Sequence, residues 1–193
     1  MAKNIKVSTT EKFISSFSGS VSVGTIVETL GYSTEGDGGG ASWKKTATTG
    51  TASQSPAQLV DGLLNDASGN QWALVSEVVF LEQLGVALDN VTDNNLALAA
   101  ALAFQQHSYK QLNSGSGYCK FSSPFEVFSS TYIKGPMVSR SKSTTGNVND
   151  DGLVFKYTGP ATPTPLISCN LDGSQAYVHS LRLIDFRLDC GGS

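Results

Sequence analysis

A short apolar stripe at helical spacing marks the first twenty residues. Its members are Phe13, Ile14 and Phe17, and side chains three or four positions apart share one face of a helix. The preceding Ser8-Thr9-Thr10-Glu11 has the form of a capping box, in which Ser8 and Glu11 satisfy each other's free amides. A helix of about ten residues is unstable alone in water, so the stripe is expected to dock on another surface. Ser18-Gly19-Ser20 ends the helix and predicts a flexible joint.

Residues 21–80 alternate between apolar and polar positions in the way that short β-strands do. The pattern predicts one strand around 26–30, a second at 41–46 and a third at 71–75. Turn signals precede the second and third strands, at 36–40 and 67–70, and residues 47–58 have the composition of an exposed loop. This part of the chain is therefore predicted to be a small β-rich domain.

Beyond Val78 the pattern predicts one helix followed only by short strands. Thr92-Asp93-Asn94-Asn95 supplies N-cap chemistry, with Asp93 as a structural residue, for a helix that runs to about Gln106. The strand-like segments after it are 118–121, 125–128, 131–134, 152–157, 166–169 and 177–190. The first three start only six or seven residues apart. That spacing is too short for βαβ crossovers and suits either a meander or the faces of a solenoid coil.

The last of these segments contains a change of parity. Leu181 and Leu183 share one parity of the alternation, whereas Phe186, Leu188 and Cys190 share the other. A corner between Leu183 and Phe186 would keep all of them pointing inward. Corners between short apolar strands are typical of a β-solenoid.

Composition and charge exclude several classes of protein. The 193 residues allow one domain, or one small domain and part of another. A net charge of −3 provides no general hold on a phosphate backbone, so no nucleic-acid partner is expected. The longest apolar run, at 96–104, is nine residues, far below the ~20 that span a bilayer, so no membrane partner is expected either.

The glycine-rich segment 36–40 is interpreted as a structural turn. Together with Ala41 it fits the GxGxxA pattern of a dinucleotide-binding loop. Such a loop must open a helix that holds the pyrophosphate, whereas a strand is predicted here. Asp37, Gly38, Gly39 and Gly40 are therefore expected to be structural, with Asp37 accepting hydrogen bonds from nearby amides. No cofactor is predicted.

No set of residues predicts a catalytic or metal site. His107 and His179 lie 72 positions apart, and the three cysteines form no CxxC pair. Asp185 and Asp189 share a strand face but would lie ~13 Å apart, beyond the ~5–9.5 Å of paired glycosidase carboxylates. Trp43 and Trp72 are expected to be core or subunit-contact residues, with stacking on sugar rings as the alternative.

Two stretches of the chain resemble bacteriophage tailspikes of the pectate-lyase-like, right-handed β-helix family. The first contains "LGY" at 30–32, "GDGGGA" at 36–41, Trp43 and 70–74. The second runs from 84–89 through the predicted helix start at 92–98 to 115–118, 124–127 and 134–135. Their order is similar to the entry of a helix-capped β-helix.

The resemblance implies a mainly β protein with three parts. These are an anchor segment at 1–22, the small virion-proximal β domain with its GDGGG turn at 23–80, and a capping helix followed by the first coils of a right-handed parallel β-helix at 81–193. It further implies a homotrimer in the phage tail that recognises bacterial capsule or lipopolysaccharide. Phe13, Ile14 and Phe17 would anchor it at the three-fold axis or on a neighbouring tail or baseplate protein.

The resemblance also implies that catalytic groups lie on later coils or between subunits. Because the last residues fall inside the second or third coil, we expect an N-terminal piece of a longer depolymerase, either a glycoside hydrolase or a lyase. Two alternatives remain open. The chain could be a complete polysaccharide lyase or hydrolase, or a non-catalytic polysaccharide adhesin.

Overall fold

The described part of the chain divides between one mixed sheet and a set of short parallel strands. The computed structural model describes residues 4–17, 19–49, 63–108, 110–127, 131–136, 152–160, 167–169, 182–184 and 186–189. The segments between these ranges, and a few side chains within the elements, are not described.

The N-terminal half forms a five-stranded sheet. Its strands are β1 (Asn4–Val7), β2 (Ile26–Thr29), β3 (Ser42–Thr49), β4 (Leu63–Asn65) and β5 (Asn70–Leu74), in the order β1-β2-β3-β5-β4. Strand β1 is parallel to β2, and the other pairs are antiparallel. Helix α1 (Thr10–Ser16) connects β1 to β2. Residues 4–17 thus belong to the same sheet and core as the domain predicted at 23–80.

Helix α1 begins one residue later than the predicted capping box requires. The N-cap is Thr9, whose side chain accepts from Lys12 N at 3.2 Å. Ser8 instead continues the strand ladder, because its carbonyl accepts from Leu30 N at 3.0 Å. The capping box of Ser8 and Glu11 is therefore wrong, and the helix has seven residues.

The apolar stripe of α1 docks on the chain's own sheet. Phe13 is fully buried and meets Trp72 edge to face, with 4.9 Å between the ring centroids. Phe17 lies at 5.6 Å from the same indole ring, and Ile14 is 4% exposed. These contacts correct the predicted docking of the three side chains at a three-fold axis or on a neighbouring protein. Packing of this kind supplies the stability that a seven-residue helix lacks by itself.

The predicted joint after α1 is held by the turn that precedes β5. Gly19 N donates to Ser68 Oγ at 3.1 Å, and Gly19 O accepts from Asn70 Nδ2 at 3.3 Å. Ser18 lies outside the described residues. At Gly19, therefore, the segment is tied to the sheet domain.

A short connector joins the sheet to the second half. Strand β6 (Val78–Phe80) runs into a 3₁₀ helix at Leu81–Leu84, and helix α2 (Asn95–Ser108) follows. The sequence predicts α2 well, with its end two residues beyond the expected Gln106. Strand β6 pairs in parallel with β7 (Gln111–Asn113) and so begins the next sheet.

The second half is a parallel β-helix with three faces. Its further strands are β8 (Gly117–Phe121), β9 (Phe125–Val127), β10 (Tyr132–Lys134), β11 (Leu153–Tyr157), β12 (Ile167–Cys169), β13 (Arg182–Ile184) and β14 (Phe186–Asp189). They form the parallel sheets β13-β10-β7-β6, β14-β11-β8 and β12-β9. The solenoid prediction is confirmed over the meander, because each strand pairs with its counterpart one coil later. The right-handed sense of winding stays a prediction that the usual handedness of parallel crossovers supports.

The predicted corner in the last segment is confirmed. Strands β13 and β14 belong to different sheets although one residue separates them. Inward-facing residues stack from coil to coil, with Cys119 opposite Phe155 and Phe121 opposite Tyr157. The core is continuous between the two halves, since one cluster of buried side chains includes Phe13, Trp72, Leu84 and Phe155.

Candidate functional site

The loop between β2 and β3 is built around the carboxylate of Asp37. Its two oxygens accept four backbone N–H groups, at 2.8 to 3.0 Å, from Tyr32, Ser33, Thr34 and Gly39. Partial burial by itself would raise the pKa of Asp37, but the four donors outweigh it and hold that pKa below its ordinary value. The predicted role of Asp37 as the organiser of the turn agrees with this geometry.

The glycines of this loop serve backbone geometry and close packing. Gly38 has a φ of +88°, a conformation that side-chain-bearing residues rarely adopt. A Cβ on Gly39 would lie 2.5 Å from the carbonyl oxygen of Glu82, and one on Gly40 would lie 3.0 Å from that of Thr29. The chain then enters β3 rather than a helix. The loop therefore lacks the helix N-terminus that holds pyrophosphate in a dinucleotide site.

Both tryptophans lie in the core of the sheet domain. Trp43 is 1% exposed and Trp72 is fully buried, so within this chain both tryptophans are core residues. Tyr32 is buried as well, whereas Tyr118 and Tyr132 are half-buried. Lys156 Nζ lies 5.8 Å from the centre of the Tyr118 ring.

Sequence reasoning missed the buried carboxylate of Asp66. It is fully buried and accepts from Ser68 N, Asn70 N and Asn70 Nδ2, each at 2.9 Å, and from Trp72 Nε1 at 3.0 Å. Asp66 thus joins the turn before β5 to the indole on which α1 packs. The signal was present as an Asp ahead of Ser-Gly-Asn, a pattern in which an Asp side chain caps its own turn.

Polar side chains fasten the start of α2 to the first coil. Asp93 accepts from Asn95 N at 3.1 Å and from the Ser122 hydroxyl. Asn95 Oδ1 accepts from Ser122 N at 3.2 Å, and Asn94 Nδ2 donates to the carbonyls of Ala87 and Lys120. The predicted N-cap segment therefore also holds the helix against β8.

Gln105, near the end of α2, takes the place of a strand residue. Its amide donates to Tyr132 O at 2.8 Å and accepts from Tyr132 N at 3.1 Å. These are the bonds that a neighbouring strand would make at the start of β10. The capping role expected for the helix thus includes a specific side-chain contact that sequence reasoning missed.

Glu82, in the 3₁₀ helix, lies where the sheet domain meets the first coil. Its Oε1 accepts from Gly115 N at 2.7 Å, and Oε2 is buried without a hydrogen-bond partner. Burial raises the pKa of Glu82, and the neighbouring charge of Asp37 adds to this rise.

Among the described residues, no three His, Cys, Asp or Glu side chains come together as a metal-binding group. Glu126 is exposed on β9, Asp189 lies on β14, and Asp185 and His179 fall outside the described ranges. Burial raises the pKa of the Cys119 thiol to about 12, so it is protonated at neutral pH. Within the part of the chain that the structure describes, no helix is long and apolar enough to cross a membrane.

The chain has the fold of solved phage tailspike structures. The tailspike protein of Acinetobacter phage vB_ApiP_P1 matches all of the chain with a TM-score of 0.64 and 17% identity, and the gp42 tailspike of Acinetobacter phage vb_AbaP_AS12 matches 92% with 0.57 and 16%. WceF of Pantoea stewartii, a glycan biofilm modifying enzyme with a bacteriophage tailspike-like parallel β-helix fold, matches 82% with 0.54 and 12%. The matches cover 31%, 30% and 22% of those chains. No protein-family model and no curated protein matches the sequence.

Proposed function

We propose that this chain is the N-terminal, virion-attachment part of a phage tailspike that recognises bacterial surface polysaccharide. The observation that carries the proposal is the order of parts, a sheet domain joined through one core to a helix-capped parallel β-helix. That order matches the fold of a phage tailspike over the whole chain. The location that follows is the phage tail, with a virion protein as the partner of the sheet domain.

In this proposal the sheet domain attaches as a folded unit. Phe13 and Ile14 are buried in the domain's own core, so the outer surface of the described sheet domain makes the contact with the virion rather than the apolar stripe of α1. Deleting residues 1–20 would remove β1 and α1 from the sheet and unfold the domain. A test by deletion would therefore confuse attachment with folding.

The experiment is a competition for attachment sites. Particles assembled without tailspike are incubated with this chain and then challenged with the full-length tailspike. We expect the chain to occupy the sites and lower the amount of full-length tailspike bound, because it carries the sheet domain. A variant with Asp66→Ala, which weakens that domain, serves as the matched control. Unchanged binding of full-length tailspike at saturating chain would refute the attachment role.

The same chain distinguishes attachment from catalysis. We assign no active site to it, and expect no release of reducing ends and no unsaturated product absorbing in the ultraviolet from capsule or lipopolysaccharide. The full-length protein is expected to be the depolymerase. Cleavage by the chain itself would favour the alternative of a complete lyase or hydrolase, and binding without cleavage by the full-length protein would favour an adhesin.

We further propose that the chain forms a homotrimer, with a neighbouring copy against the groove beside β2. Leu30 and Val75 line this groove and are 51% and 46% exposed, and Val78 and Phe80 follow at 40% each. Two exposed apolar side chains within one groove mark it as a candidate interaction surface. Light scattering of the Leu30→Ser, Val75→Ser double variant should give a smaller species than the unchanged chain. Leu96→Ser, at a 76% exposed position on α2, is the control, and an unchanged chain that is itself monomeric would contradict the trimer.

A further inference from the structure

The sheet β13-β10-β7-β6 of the β-helix carries a group of polar and aromatic side chains on its outer side. Leu112 on β7 and Ile133 on β10 are buried, so the residues on either side of each one point outward. On β13, Arg182 is exposed and Ile184 is half-buried. We call this surface the β7–β10–β13 face, and it consists of Gln111, Asn113, Tyr132, Lys134, Arg182 and Ile184.

The register of the three strands brings these side chains next to one another. Lys134 lies between Asn113 on β7 and Ile184 on β13, and Tyr132 lies beside Arg182. Adjacent strands are about 4.8 Å apart, so side chains that are neighbours in register can contact one ligand together.

Two amides and an aromatic ring make up the neutral part of the face. Gln111 Nε2 donates to Asn113 Oδ1, and within the described residues no hydrogen bond uses Gln111 Oε1 or Asn113 Nδ2. One acceptor and one donor are therefore available to a ligand. The backbone of Tyr132 is fixed from α2, because its N–H and C=O are both bonded to Gln105. A surface that is held in place in this way lowers the ordering cost of binding.

The charged part of the face is positive. Lys134 and Arg182 are diagonal neighbours on adjacent strands, with about 8 Å expected between their Cα atoms. Within the described ranges the one ion pair joins Lys6 to Glu28, so no described carboxylate lies within 4.0 Å of either cation. None of the six residues of the face is acidic, although the whole chain has a net charge of −3. An anion bound beside the two cations would offset their mutual repulsion.

We propose that the β7–β10–β13 face is a binding site for an acidic saccharide. Lys134 and Arg182 bind its carboxylates, and the planar guanidinium of arginine can do so through two parallel hydrogen bonds. The amides of Gln111 and Asn113 exchange hydrogen bonds with sugar hydroxyls, and the ring of Tyr132 packs against the apolar side of a sugar ring. A simple polyanion would use the two cations and leave the amides and the ring without a role. This binding site is additional to virion attachment by the sheet domain and needs no catalytic group.

The test is native electrophoresis of this chain through gels that contain polygalacturonate, alginate or hyaluronate, with dextran as the neutral polysaccharide. We expect at least one of the three acidic polysaccharides to slow migration in proportion to its concentration, and dextran to leave migration unchanged. For that acidic polysaccharide, the Lys134→Gln, Arg182→Gln double variant should have a dissociation constant about tenfold higher or more, because one hydrogen bond to a charged group accounts for about that factor. Migration that none of the three acidic polysaccharides changes would overturn the proposal.

The matched control is the Lys12→Gln, Lys44→Gln double variant. Both of these lysines are exposed in the sheet domain, so the control loses the same charge at a distance from the face. It should bind the acidic polysaccharide as the unchanged chain does. Equal weakening in the two double variants would mean that net charge alone is responsible, which refutes a site on this face.

Two further measurements identify the kind of ligand. Tyr132→Ala should weaken binding to the acidic polysaccharide and leave unchanged any retardation by inorganic polyphosphate, and equal effects on both would refute the saccharide. Light scattering of the Lys134→Gln, Arg182→Gln variant should give the same size as the unchanged chain. A smaller species would mean that a second copy covers the face, and would overturn the proposal. The competition for attachment sites depends on none of these results, so a failure here can be told apart from a failure of the attachment role.

Discussion

Replacing Asp66 by alanine should destabilise the sheet domain more than a surface substitution can. The carboxylate is fully buried and accepts four hydrogen bonds, and the three from Asn70 N, Asn70 Nδ2 and Trp72 Nε1 are buried. A buried donor left without a partner costs about 1–3 kcal/mol, so three such donors set the loss in free energy of unfolding between roughly 3 and 9 kcal/mol. Because water can enter the space that the carboxylate leaves, we expect about 3–5 kcal/mol. That is a large part of the roughly 5–15 kcal/mol that stabilises a typical domain.

The tryptophans make the assay specific to this half of the molecule. Trp43 and Trp72, the two tryptophans of the chain, both lie in the sheet domain, so denaturant unfolding followed by their fluorescence reports on that domain. Circular dichroism in the far ultraviolet reports on both halves and shows whether they unfold together. Asp66→Asn keeps the shape but presents an amide to several donors, so its loss should be smaller than that of Asp66→Ala.

The matched control is Glu77→Ala, since Glu77 is an exposed acid of the same half. Its free energy of unfolding should lie within about 0.5 kcal/mol of the unchanged chain. A loss below about 1 kcal/mol for Asp66→Ala would refute the reasoning, because the three buried donors would then have found other partners.

Three further predictions concern the cap, the loop and its acid. Gln105→Ala should cost about 1–3 kcal/mol in denaturant unfolding because it leaves Tyr132 N and O without partners, whereas Gln106→Ala, at an exposed position, should be nearly neutral. Gly39→Ala should lower the melting temperature more than Gly36→Ala, because its Cβ would meet Glu82 O and Tyr32 at 2.5 Å while Gly36 faces open space at a φ of +84°; equal losses would contradict the packing argument. Since the pKa of Asp37 is lowered, its stabilisation is present above the ordinary aspartate pKa and is lost as pH falls through the lower folded value. The melting temperature of Asp37→Asn should therefore fall less than that of the unchanged chain as pH is lowered. An equal fall for both proteins would contradict this role of Asp37.

Features whose partners lie close in the chain could be predicted from the sequence. The four donors to Asp37 all lie between Tyr32 and Gly39, so a Gly-Asp-Gly-Gly pattern suffices to indicate the loop. Helix α2 has cap residues next to its start, and β8 and β11, with five residues each, have enough alternation to be recognised. The corner before Phe186 followed from parity alone. These signals act over a few residues and need no knowledge of the fold.

Some of the short elements and the remote partners could not be predicted. Strand β1 has four residues and pairs on one side only, and β4 and β6 have three residues each, too few for a period to emerge. The helical stripe of Phe13, Ile14 and Phe17 indicated that a face is buried, but nothing near it in the chain identified Trp72 as its partner. The predicted docking surface was wrong because the sequence did not identify this partner.

The sequence alone therefore determined the class of the longer elements, the Asp37 turn and the solenoid character of the second half. Only the tertiary structure decided which surfaces meet. Gln105 contacts a residue 27 positions away and Glu82 one 33 positions away. Such contacts depend on how helix α2 and the 3₁₀ connector pack on the first coil, because two residues so far apart are brought together by the winding of the chain and not by their neighbours in it.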